Sequence, residues 1–112
     1  MTLIRNEEFI QSVADALQYI SYYHPIDFVQ AVHQAYEKED ASAAKEAMAQ
    51  ILINSRMCAE GKRPICQDTG IVTVFLKVGM DIQWEGGLSV SDMVNEGVRR
   101  AYQLPDLSLI HI

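Results

Sequence analysis

The chain has 112 residues, of which 49% are hydrophobic and 21% charged, and its net charge at neutral pH is −6. That length is enough for one domain with a modest core and not for two, and the composition is that of a soluble globular protein. The acidic balance argues against a nucleic-acid-binding surface, and no apolar run approaches the roughly 18 residues of a membrane span. We therefore expect a cytoplasmic protein without nucleic-acid or membrane partners, whose two cysteines are thiols.

Apolar residues recur at three- and four-residue steps through the first half of the chain, which predicts three helices. The first begins with Asn6 as its cap, and the second has Pro25 in its first turn and ends in the charged link 37–40. The third runs from about Ser42 to Glu60, with Gly61 as its C-terminal cap. The predicted buried faces are Phe9, Ile10, Val13, Leu17 and Ile20; Phe28, Val29, Val32, Ala35 and Tyr36; and Ala44, Ala47, Met48, Ile51, Leu52, Ser55 and Cys58.

The second half of the chain opens with its most apolar and β-branched run, residues 71–78. Both alternating faces of this run are mostly apolar, which predicts an interior strand covered on both sides. Residues 82–84 can return as a short second strand, and residues 89–92 have capping-box form, opening a last helix that ends at Pro105. The predicted fold class is therefore α+β: an N-terminal helical layer, then the start of a β-sheet and a further helix. Two short strands do not complete a sheet, so we expect an incomplete domain of a larger protein.

The helical half and the predicted strand are joined by the octet Arg63-Pro64-Ile65-Cys66-Gln67-Asp68-Thr69-Gly70. It places a thiol, a carboxamide, a carboxylate and a hydroxyl on consecutive residues of a connecting segment, where functional sites tend to lie. As a thiolate, Cys66 is a candidate nucleophile, redox group or metal ligand. A redox pair is disfavoured because Thr69 stands where Cys-X-X-Cys has its second cysteine, and a nucleophile needs a histidine base that the sequence does not place nearby. A polar turn with an incidental cysteine also fits the octet.

The octet, followed by Ile-Val-Thr-Val-Phe-Leu-Lys-Val-Gly, resembles the N-terminal part of the iron-sulfur (class I) fumarate hydratases. These belong to a wider group of iron-sulfur hydro-lyases that includes the L-tartrate dehydratases. The resemblance runs from about residue 1 to Asp106. It implies a [4Fe-4S] cluster that is held by three cysteines, with Cys66 as the first, and whose fourth iron is left open to act on the substrate as a Lewis acid.

The resemblance also implies roles for the residues after Cys66. Gln67 is expected to donate its amide N–H to a carboxylate of a small dicarboxylate substrate. Asp68 is expected to accept a hydrogen bond from the substrate hydroxyl or to pass a proton. The implied reaction interconverts fumarate and (S)-malate, as in the tricarboxylic acid cycle, in a complete enzyme that is a homodimer.

The other two cluster cysteines, the catalytic base and most substrate-binding arginines of the family lie beyond the region seen here. Cys58 does not match one of those cysteines, and we interpret it as a small buried residue. Arg99 and Arg100 fall just before the family's substrate arginine and are not assigned to the substrate. With one cluster ligand of three, the chain alone is predicted to be inactive.

The last six residues, 107–112, do not fit the family, whose chains continue with an Asn-Lys-Leu-Arg-like segment. One reading frame of a sequencing-library adaptor encodes the same six residues. We therefore expect residues 107–112 to be non-native and residues 1–106 to be the N-terminal part of an iron-sulfur hydro-lyase. A genuine C-terminal strand is the alternative.

Three other functions remain open from the sequence. The first is an L-tartrate dehydratase-type hydro-lyase, since a single contact can change a dicarboxylate preference. The second, from a different class, is a helical interaction module in which Cys66 is incidental. The third is a small thiol enzyme, which ranks last because no base is placed near the thiol.

Overall fold

A computed structural model describes residues 1–66 and 71–103 of the chain. The described residues form four helices and two strands, which confirms the α+β class. In chain order these are β1 (Thr2–Arg5), α1 (Asn6–Tyr22), α2 (Ile26–Lys38), α3 (Ser42–Gly61), β2 (Ile82–Glu85) and α4 (Val90–Gln103). The length alone predicts one domain, but the described residues group into two compact units. The first unit contains residues 1–18 and 71–103, and the second contains residues 19–66. No helix within these described ranges is long and apolar enough to cross a bilayer.

The first unit is built on a small parallel sheet that joins residues 2–5 to residues 82–85. β1 pairs with β2 in register, Thr2 opposite Ile82 and Ile4 opposite Trp84. The Phe9 ring of α1 meets the Trp84 ring edge-on, with centroids 5.1 Å apart, an arrangement that adds to the burial of both rings. The short second strand at 82–84 is confirmed, whereas β1 has no counterpart in the sequence prediction.

The predicted interior strand at residues 71–78 is wrong for the described structure, in which this run has no regular secondary structure. Ile71 and Phe75 are 90% and 93% exposed. Val72, Val74 and Leu76 instead line an open apolar groove with residues of α4. The alternation that the sequence predicts is therefore present, but β2 pairs with β1, and no described segment supplies a ladder partner for residues 71–78. A strand without a hydrogen-bonded neighbour is not stable in water.

The core of the first unit lies where α1 packs against α4. Its buried residues are Ile10, Ala14, Leu17, Met93 and Ala101, together with Gly97. Ser89 Oγ accepts a hydrogen bond from the Asp92 backbone N–H at 3.1 Å, which confirms the predicted cap of α4. The predicted end of this helix at Pro105 lies outside the described residues.

Met93 should be the most sensitive large side chain of this core, because it is 0% exposed. Replacing it with alanine leaves a cavity and is expected to cost about 2–5 kcal/mol of unfolding free energy. Met80 is fully exposed and provides the matched control, since Met80→Ala removes the same atoms from water-facing surface. Urea unfolding of both variants measures the difference, and an equal loss from the two substitutions would contradict this placement of Met93.

In the second unit α2 packs against α3. Pro25 is the N-cap of α2, one residue before the predicted first turn. No residue of α2 is buried, and Phe28 is 41% exposed, so the predicted buried face of α2 is only partly covered. Ile20 of α1 is likewise exposed rather than part of the buried stripe. One neighbouring helix covers only part of an apolar face.

Candidate functional site

The residues leading to Cys66 begin at the C-terminus of α3. The predicted start of α3 at Ser42 is confirmed, but its left-handed cap is Lys62, with φ 50° and ψ 55°, rather than Gly61. The backbone N–H groups of Lys62 and Arg63 both donate to the Cys58 carbonyl, the latter at 3.1 Å. This closure satisfies a carbonyl of the last helical turn and turns the chain out of the helix.

Ile65, the residue directly before Cys66, is held on both sides of its backbone. Its N–H donates to the Ser21 carbonyl at 2.8 Å, and its carbonyl accepts a hydrogen bond from Asn54 Nδ2 at 3.1 Å. Ser21 belongs to the last turns of α1 and Asn54 to α3. Two helices therefore fix the backbone at the point where the candidate ligand follows.

Cys58 is buried beneath this segment, as predicted, but it is more than a small apolar residue. Its thiol lies 3.4 Å from the Pro64 carbonyl oxygen and 3.6 Å from Asn54 Oδ1. A thiol has one hydrogen to donate, so the two acceptors share it. Cys66 is exposed, and the two cysteines form no disulfide with each other. The buried thiol thus braces the segment, and the exposed one is presented to the outside.

Among the described residues, Cys66 could supply one thiolate to a metal cluster. Cys66 is an exposed thiol at the end of an anchored backbone, which suits a thiolate ligand to iron. Within residues 1–66 and 71–103, no three histidine, cysteine, aspartate or glutamate side chains come together in a metal-binding group. Gln67 and Asp68 lie outside the described residues, so their roles remain predictions.

Two histidines of the second unit, His24 and His33, contact other side chains. His24 Nδ1 lies 3.0 Å from Ser55 Oγ, and its ring stacks on Phe28 with centroids 4.6 Å apart. His33 is a helical surface residue 3.7 Å from Glu37. His24 is half-buried.

Arg99 and Arg100 of α4 are engaged by acidic side chains of the first unit. Glu96 accepts hydrogen bonds from Arg99 Nε at 2.7 Å and Arg100 Nε at 3.0 Å. Arg100 Nη2 also donates to Glu7 at 3.1 Å, linking α4 to α1. These pairs raise the pKa of both guanidinium groups. Arg100 thus ties α4 to α1, and Arg99 pairs with Glu96 on its own helix.

This network predicts an acid-dependent loss of stability. Hydrogen bonds from Arg99 and then Arg100 lower the pKa of the Glu96 carboxyl from 4.5 to about 2. Because the folded pKa lies below the unfolded one, the contribution is complete above pH 4.5 and declines as the pH falls toward about 2. Glu96→Gln should therefore lower the midpoint of urea unfolding at pH 7 and make little difference near pH 2. A gap between the two proteins that stays constant across this range would contradict the assignment.

Comparison with known proteins identifies the protein family to which the chain belongs. The chain belongs to the fumarate hydratase (fumerase) family, whose model matches residues 10–109, a stretch that contains Cys66. A relative from Methanocaldococcus jannaschii, provisionally named L(+)-tartrate dehydratase subunit alpha, is 33% identical to the chain over 89 residues. The match covers 80% of this chain and 31% of the relative, so the chain spans about a third of that relative's length. The resemblance drawn from the octet is thereby confirmed.

Proposed function

We propose that the chain is the N-terminal part of a hydro-lyase that interconverts fumarate and (S)-malate, with Cys66 as one of three cysteine ligands to a [4Fe-4S] cluster. The observation that carries the proposal is the family match over residues 10–109. The exposed thiol of Cys66, at the end of a backbone anchored by two helices, supports the ligand role. In this proposal residues 1–106 belong to the hydro-lyase, which works as a cytoplasmic homodimer.

Such a cluster, when bound, supplies a Lewis acid with an open coordination position. Cys66 would hold it as a thiolate. Gln67 would orient a substrate carboxylate through its amide N–H, and Asp68 would accept a hydrogen bond from the substrate hydroxyl or pass a proton. The remaining thiolates and the base that takes the carbon-bound proton come from the rest of the complete protein.

The proposal is tested on the complete protein, purified without oxygen and assayed for iron, sulfide and turnover. We expect iron and sulfide in equal amounts and the interconversion of fumarate and (S)-malate. The 112-residue chain, measured beside it, should bind no stable cluster and should not turn over either acid. A complete protein that contains no iron and acts on neither acid would overturn the proposal.

The second candidate is an L-tartrate dehydratase-type reaction. It is favoured by the name of the relative that is 33% identical. Both reactions remove water from a 2-hydroxy dicarboxylate, so the same ligand and proton-transfer groups serve either. Adding L-tartrate to the substrate panel decides between them: a higher kcat/KM for L-tartrate than for (S)-malate would select this second candidate.

A further inference from the structure

We propose that Asn54 is a positioning residue for Cys66, an inference that rests on the proposed function. Asn54 lies in α3, one helical turn before Cys58, on the side that faces the segment leading to Cys66. Its side chain donates to the carbonyl of Ile65. Nothing in the octet itself points to Asn54, because Asn54 and Ile65 are 11 positions apart in the chain.

The orientation of the Asn54 amide is set at both of its ends. Nδ2 donates to the Ile65 carbonyl at 3.1 Å, and Oδ1 lies 3.6 Å from the thiol of buried Cys58, which can donate to it. A side-chain amide has one donor end and one acceptor end. The thiol and the carbonyl therefore select the same orientation, and the amide is held between a helix and the segment that leaves it.

The bond acts on the peptide unit that carries Cys66. The Ile65 carbonyl and the Cys66 N–H belong to the same planar peptide group. The preceding peptide group is fixed by the Ile65 N–H, which donates to Ser21 at 2.8 Å. With both planes held, the backbone direction into Cys66 is set before any ligand binds.

The solvent exposure of Asn54 argues that its bond to Ile65 orients the backbone and does more than give the Ile65 carbonyl a hydrogen-bond partner. Asn54 is exposed, so water could hydrogen-bond to the Ile65 carbonyl in its place at little cost. What water cannot do is hold the peptide plane in one direction. Metal ligands depend on outer residues that fix their orientation, and losing such a residue typically weakens metal binding about 10- to 100-fold.

The first experiment uses the chain without cofactor. Asn54→Asp keeps the size and the acceptor for Cys58 but removes the donor to Ile65. The Ile65 amide donates to Ser21 and exchanges its hydrogen when this segment opens. Because opening costs about one hydrogen bond less without the Asn54 donor, we expect this exchange to be about fivefold to tenfold faster. Gln50→Glu makes the same amide-to-acid change one turn earlier on an exposed residue of α3 and should leave that exchange rate unchanged. Unaltered Ile65 exchange in Asn54→Asp would overturn the proposal.

The second experiment uses the complete protein with its cluster. Asn54→Asp should shift the electron paramagnetic resonance spectrum of the reduced cluster and speed iron loss to a chelator about tenfold or more, with thermal stability close to that of Gln50→Glu. If spectrum and iron loss match the unsubstituted protein while Cys66→Ser loses its iron, the positioning role fails and the proposed function stands. If Cys66→Ser keeps its iron, the proposed function fails and this inference fails with it.

Discussion

Replacing Cys66 with serine in the complete protein should abolish cluster binding and lower turnover of (S)-malate by at least about 100-fold. Serine has nearly the size of cysteine, but its hydroxyl is a poor substitute for a soft thiolate on iron. Because Cys66 is exposed, the substitution removes no core packing, so folding should be unaffected. Iron content, the visible absorption of the cluster and turnover measure the chemical effect, and thermal unfolding measures the structural one.

Cys58→Ser is the matched control for this experiment. The serine hydroxyl can still donate to the Pro64 carbonyl or to Asn54 Oδ1, the acceptors that lie near the thiol. Since Cys58 is buried, the control should lose some stability but retain iron and measurable turnover. The opposite pattern, with iron kept in Cys66→Ser, would support the helical interaction module, in which Cys66 is incidental.

The helices could be predicted from the sequence because their signals are local. A stripe at three- and four-residue steps and a capping serine define α4, and both are contained in about 14 neighbouring residues. β1 could not be found in this way. It has four residues, and its partner β2 lies 80 positions later, since Thr2 pairs with Ile82. Local patterns carry no information about such a pairing.

Residues 71–78 show the converse case. Their alternation correctly places Val72, Val74 and Leu76 on one face, which lines the groove beside α4, but the expectation that both faces are covered is wrong because Ile71 and Phe75 are exposed. Strand formation additionally needs a neighbouring backbone, and no described segment lies alongside to provide one. A pattern of side chains therefore predicts which face a segment can bury, and the partner decides whether the segment becomes a strand.

In the candidate site, too, the sequence reveals the residue with a local signal and not the one whose role depends on the fold. Cys66 stands out because its neighbours are chemically unusual, and the octet is contiguous in the sequence. Asn54 does not, because its role depends on where α3 ends and on how the chain folds back past Lys62. The spacing of Asn54 and Cys58, four residues apart on one helix face, was the available signal, and it gains meaning only once the Ile65 carbonyl is seen beside it.

Replacing Gly97 with alanine should destabilise the first unit by about 1–3 kcal/mol. Glycine to alanine inside a helix normally stabilises by up to about 1 kcal/mol, so the expected sign is reversed. The cause is the close approach of α4 to α1: a Cβ on Gly97 would lie 2.7 Å from Val13 side-chain atoms and 2.9 Å from the Ile10 backbone oxygen. A side-chain rotation can move the methyl carbon of Val13, but the Val13 Cβ and the Ile10 carbonyl are fixed by the backbone and cannot move without moving α1.

Gly61→Ala adds the same methyl group to the last turn of α3, where the nearest atoms are 3.8 Å away in the flexible Arg63 side chain. Urea unfolding should therefore show a lower unfolding free energy than that of the unsubstituted chain for Gly97→Ala, and an equal or higher one for Gly61→Ala. If Gly97→Ala were as stable as Gly61→Ala, α1 and α4 could not pack as closely as described. Gly97→Ala therefore tests directly whether α1 and α4 approach as closely as the core of the first unit requires.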